Sequence, residues 1–153
     1  MSTETRPRNV HYVLSTHWDR EWYEPFQYYR YRLVQLIDRL IDGFESGRLH
    51  GPFQTDGQAI ILEDYLEIRP ERRELIERYV REGKFLVGPW YVLPDEFLIS
   101  GESHIRNLRR GRETARRFGA EPSDAGFVCD LFGHISQLPQ IFRGFGIETA
   151  YLW

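Results

Sequence analysis

Apolar positions along this chain switch back and forth between two spacings. A short β-rich run over 10–14 predicts a first strand. From 26 to 44, Leu33, Leu36, Ile37, Leu40, Ile41 and Phe44 fall at the i, i+3, i+4 spacing of an amphipathic helix, with Gly43 and Gly47 near its end. A second strand is predicted over 51–56 and a helix over 59–68. Another helix opens with Pro70 in its first turn and closes near Gly83. The third strand spans 85–91, and a long helix over 100–118 is stopped by Gly119. A fourth strand over 126–129, a short helix over 138–145 and a fifth strand over 149–153 complete the order βαβααβαβαβ. Alternation with short links predicts an α/β fold, a parallel sheet with right-handed helical crossovers.

Residues 1–8 read as a polar tail and 9–153 as one domain, with no internal repeat or low-complexity stretch. The last predicted strand, Thr149-Ala150-Tyr151-Leu152-Trp153, has no covering helix after it. An open apolar edge is a liability in an isolated domain. The expectation is therefore a cover supplied by a partner, a second copy or, the preferred reading, the remainder of its own longer polypeptide.

Composition narrows the classes. The chain has 153 residues, enough to bury about two-thirds of its unfolded surface. Its 41% hydrophobic and 28% charged residues describe an ordinary folded domain. No apolar run reaches the ~20 residues that span a bilayer, and the polar start lacks a signal-peptide core. A single cysteine, Cys129, excludes an internal disulfide and points to a reducing cytoplasm. Net charge of -3 provides no global field for nucleic acid. The arginines between Arg106 and Arg117 spread round a helical wheel, which reads as a solvated helix rather than a nucleic-acid surface. The 4 Trp, 9 Tyr and 10 Phe mostly belong to a core, but several crowd the motifs below, where flat rings suit sugar faces.

Two acidic motifs sit directly after predicted strands: Thr16-His17-Trp18-Asp19-Arg20-Glu21-Trp22 and Cys129-Asp130-Leu131-Phe132-Gly133-His134. Strand C-termini are where α/β folds collect their chemistry. In an extended segment, His17 and Asp19 point the same way, as chelation requires. Asp130 supplies an independent third ligand and can also act as a nucleophile. Zn2+ is the first expectation for such a nitrogen/oxygen set, with Co2+ an alternative. Asp56, Asp95, Glu96 and Trp90 fall on the same rim as expected sugar-binding residues. Asp56 reads equally as a helix cap, and Asp95 and Glu96 as a solvated loop. His134 is expected to orient Asp130 or its loop, and His11 to sit in the core or at an edge. His50 and His104 are assigned no role.

These motifs resemble a known family. The two just quoted, together with Phe53-Gln54-Thr55-Asp56-Gly57-Gln58 and Gly88-Pro89-Trp90-Tyr91-Val92-Leu93-Pro94-Asp95-Glu96, are similar in type and order to the N-terminal catalytic domain of family 38 glycoside hydrolases, the α-mannosidases. The resemblance implies the first part of an irregular (β/α)7 barrel and a retaining, metal-dependent α-mannosidase. It implies His17, Asp19 and Asp130 as metal ligands, Asp130 as nucleophile, and Trp22 and Phe132 lining the mannose subsite. The implied substrate is a mannose-containing oligosaccharide or mannosyl conjugate. A complete member also supplies a fourth ligand and an acid/base carboxylate from segments beyond residue 153, so the 153 residues alone are expected to be inactive. Competing readings are a metal-dependent polysaccharide deacetylase and a non-catalytic carbohydrate-binding or assembly subunit.

Overall fold

Five short strands, all parallel, alternate with five helices in the computed structural model, which describes residues 9–152. The predicted tail over 1–8 and the terminal Trp153 lie outside the described residues. Strands β1 (Leu14–Ser15), β2 (Phe53–Gln54) and β3 (Phe85–Leu86) form one sheet in that order. β4 (Ala125–Val128) and β5 (Thr149–Leu152) form a second. The single sheet expected from the alternation is thus two. All pairs are parallel, with Leu14 opposite Phe53, Phe53 opposite Phe85, and Ala125 opposite Thr149.

The helices fall close to their predicted places: α1 Phe26–Glu45, α2 Ile60–Ile68, α3 Arg73–Arg81, α4 Gly101–Arg117 and α5 Leu138–Gly144. A 3-10 turn, Pro70–Arg72, leads into α3, as a proline lacking an N–H suits a first turn. Ser100 caps α4, its Oγ accepting from the Ser103 amide at 3.2 Å.

The strands are shorter than predicted, for local reasons. Residues 10–13 lie outside β1, and Val10, His11, Tyr12 and Val13 are exposed. In the β1–β2 register the next partner of Val13 would be Pro52, which has no N–H to give a ladder. His11 is therefore neither a core nor an edge residue. β3 stops at Leu86 because Gly88, at φ +82, turns the chain; pairing resumes only at an isolated bridge between Gln58 and Trp90.

Two hydrophobic cores result. The first joins the apolar faces of α1, α2 and α3 to Phe53, Phe85 and Val87, with Ala115 and Phe118 closing it from the end of α4. The second gathers Trp90, Leu108, Val128, Leu138, Ile141, Phe142 and Ile147. Each fully buried Leu or Ile contributes about 1.5–3 kcal/mol relative to exposure, so these clusters carry the fold. Gly111 lets α4 cross the chain at Trp90: a Cβ there would stand 2.2 Å from the Trp90 carbonyl carbon. No helix among the described residues is long and apolar enough to cross a membrane.

Candidate active site

His17, Asp56 and Asp130 all lie just beyond strand C-termini, following β1, β2 and β4. With Ser15, Thr16, Phe127 and Cys129 they line a cavity of about 410 Å³. That volume lies in the range of roughly 300–1,000 Å³ usual for small-molecule sites.

The His17 imidazole is the centre of the arrangement. Its Nε2 lies 3.1 Å from Asp130 Oδ2 and 3.6 Å from Asp19 Oδ1, and its Nδ1 lies 3.1 Å from Asp56 Oδ2. Asp56 is buried and holds φ +54, a left-handed conformation that Asp and Asn enter more readily than most non-glycine residues. Its Oδ2 also accepts from the Trp18 amide at 2.7 Å and from Gln58 Nε2 at 3.1 Å. Burial pushes the Asp56 carboxyl up from its ordinary value, while the Trp18 amide, His17 and Gln58 pull it back down. Burial also pushes the Cys129 thiol up, with Asp56 and Asp130 adding to the rise, so the group stays protonated in this acidic pocket.

This donor set fits a divalent cation by its chemistry. A carboxylate on one imidazole nitrogen fixes the ring and directs the other nitrogen's lone pair outward, as in carboxylate–histidine–metal arrangements. Bonds of about 2.0–2.2 Å put neighbouring donors of a tetrahedral site roughly 3.3–3.6 Å apart, near the 3.1 and 3.6 Å separations found at Nε2. Among the described residues, however, no three His, Cys, Asp or Glu side chains stand around a ready-made gap. The carboxylates converge on the imidazole itself.

The two motif loops are anchored from below. Arg20 makes a bidentate pair with the buried Asp64 of α2, at 2.7 and 2.9 Å, which raises the arginine further above its already high value. The loop after β4 turns through Asp130 at φ +58 and Gly133 at φ +109. His134 Nδ1 lies 2.8 Å from Glu96 Oε1, so His134 holds its loop rather than lining the cavity.

The expected sugar-binding residues divide. Trp90 is 0% exposed, sits in the second core and donates its Nε1–H to the Phe127 carbonyl at 2.7 Å; the expectation that it touches substrate is corrected. Glu96 is likewise corrected: at 1% exposure, with both oxygens engaged, it cannot reach a ligand. Asp56 faces the cavity, but its carboxylate serves His17 and Trp18 instead of sugar or a helix cap. Asp95 is half-buried and does not line the cavity. Trp22 and Phe132 are 66% and 77% exposed on the two motif loops, outside the cavity wall.

Sequence reasoning missed Gln58 and Asn107. Gln58 ties the Trp18 carbonyl to the Leu93 amide, and Asn107 holds Tyr91 and Val92 through their backbone. Only the place of Gln58 two residues after Asp56 could have hinted at this.

The family follows from comparison with known proteins. Residues 7–153 match the model for the glycosyl hydrolases family 38 N-terminal domain, and the chain belongs to that family. It is 42% identical over 143 residues to a Halalkalibacterium halodurans protein named "Putative mannosylglycerate hydrolase", covering 94% of this chain and 16% of that protein. To the Saccharomyces cerevisiae alpha-mannosidase it is 31% identical over 146 residues, 92% of this chain and 13% of the yeast protein. The crystal structure of an alpha-mannosidase from Enterococcus faecalis V583 superposes with a TM-score of 0.88 at 41% identity, over 92% of this chain and 16% of that one. The chain thus spans 13–16% of the length of these relatives, and the match does not favour the deacetylase alternative.

Proposed function

We propose that this chain is the front part of a retaining, metal-dependent α-mannosidase acting on terminal α-linked mannose, in an oligosaccharide or a small mannosyl conjugate. The observation that carries the reading is the His17 imidazole, held by the buried Asp56 on one nitrogen and facing Asp130 with the other at the floor of an open cavity. The H. halodurans relative's name supports adding mannosylglycerate-like solutes to the candidate substrates.

In this reading, residues 9–153 are the first portion of an irregular (β/α)7 barrel. The remaining polypeptide contributes the fourth metal ligand and the acid/base carboxylate, and residues 1–153 alone do not turn over substrate. His17, Asp19 and Asp130 would hold Zn2+, or Co2+ in its place, and the ion would supply a fixed positive charge that orients the sugar hydroxyls. Asp130, solvent-facing at 62% side-chain exposure, attacks the anomeric carbon as the glycosidic C–O bond breaks. The leaving oxygen takes its proton from the acid/base group. Water then attacks the mannosyl ester on Asp130, the same group now removing its proton, and the two inversions give a retained α-product. Trp22 and Phe132 offer exposed rings to the sugar. The protein works in the cytoplasm.

The test uses the full natural polypeptide and an activated fluoro-mannoside. A covalent adduct mapped to Asp130, and an α-anomer as first product by NMR, are expected. An adduct on another carboxylate, or a β-anomer, overturns the assignment.

A further inference from the structure

We propose that Glu96 is a positioning residue that sets where Asp130 stands relative to His17, an inference resting on the reading of Asp130 as ligand and nucleophile. The need for such a residue comes from the sheet topology. β1, which precedes His17, belongs to one sheet, and β4, which precedes Asp130, belongs to the other. No strand ladder among the described residues joins the two, so backbone pairing does not fix one loop against the other. The loop turns through Asp130 and Gly133, both at positive φ, a conformation uncommon for residues other than glycine, so its neighbours help to hold it.

Glu96 supplies that restraint. It arrives from the connection after β3, a strand of the first sheet, and is completely buried. One oxygen, Oε2, accepts from the Ile135 amide at 2.8 Å, and the other, Oε1, lies 2.8 Å from His134 Nδ1. A desolvated carboxylate with two donors is costly to separate from either of them. The next residue adds shape: the Phe97 ring lies where a Cβ on Gly133 would be 2.8 Å from it. Residues 96 and 97 therefore grip 133, 134 and 135 at once, three to five residues past Asp130. An error of about 1 Å in placing a reacting group costs on the order of 100-fold in rate, which is the scale of effect such a grip controls.

The experiment compares Glu96→Ala, His134→Ala and Asp130→Ala with wild type in the full natural polypeptide loaded with Co2+. It reads the cobalt d–d spectrum, cobalt affinity by chelator competition, and kcat and KM separately. Glu96→Ala is expected to shift the spectrum toward that of Asp130→Ala, to weaken cobalt about 10-fold or more, and to lower kcat about 10- to 100-fold with KM within about threefold. His134→Ala, which removes one of the two contacts from the solvent side, should move the same readouts in the same direction by less. A folded Glu96→Ala protein with lowered thermal stability but an unchanged spectrum and kcat would make Glu96 purely structural and overturn the proposal. If Glu96→Ala does not fold, His134→Ala decides, and unchanged readouts there overturn it equally. Asp130→Ala separates the two readings. If it alters spectrum and rate while the other variants do not, only the positioning role fails. If it alters neither, the role of Asp130 fails and takes this inference with it.

Discussion

The two motif loops meet at His17 and Asp130, yet they are secured by different means. The loop after β1 is backed by its own sheet: β1 pairs with β2, and the stretch just after β2 sends Asp56 to His17 and the Trp18 amide, while Asp64 of α2 holds Arg20. Among the described residues the loop after β4 has no ladder to that sheet, because β4 pairs with β5 instead. It is aligned by side chains that cross between the sheets, the Glu96 carboxylate on His134 and Ile135 and the Trp90 indole on the Phe127 carbonyl. Where backbone ladders do not register two segments, buried polar groups help apolar packing to do so, because each is strongly penalised if left unpaired. The acids that hold are buried and the acids that face the cavity mouth are exposed. On the proposed function, that division would separate structural from reactive carboxylates.

The largest test of this division is at its exposed end. Asp130→Ala in the full polypeptide should lower kcat/KM by on the order of 10⁴-fold or more, measured with an activated mannoside, with a modest fall in melting temperature because Ala tolerates the φ of +58 less well than Asp. A variant that stays within tenfold of wild type would remove Asp130 from the reactive class. At the buried end, Asp56→Asn keeps the shape but weakens the anchor on His17. Zinc affinity by chelator competition should fall about 10- to 100-fold, and unchanged affinity would break the comparison by making the anchor irrelevant to the ligand. The smallest effect belongs to an exposed ring. Trp22→Ala should raise KM roughly tenfold with kcat and thermal stability nearly unchanged, since stacking binds the sugar without making a bond. A fall in kcat with KM constant would place Trp22 in the bond-breaking machinery instead.

What could be read from the chain alone was whatever repeats with a period or stands at a strand end. The stripe through Leu33, Ile37, Leu40, Ile41 and Phe44 does face the first core, because helix periodicity and burial share one geometric cause. His17 and Asp130 could be singled out as polar residues following apolar runs, and the order of four motifs indicated the family. The sequence could not say that the parallel strands would divide into two sheets, because that depends on which edges meet across helices. Nor could it tell Trp90 and Glu96 from ligand-facing residues: both are buried against partners from β4 and the segment after it, Phe127 for Trp90 and His134 and Ile135 for Glu96. Asp56 shows the limit most clearly. Its place after β2 is a local fact, but its partner His17 lies 39 residues earlier in the chain, and only the pairing of β1 with β2 brings carboxylate and imidazole to 3.1 Å.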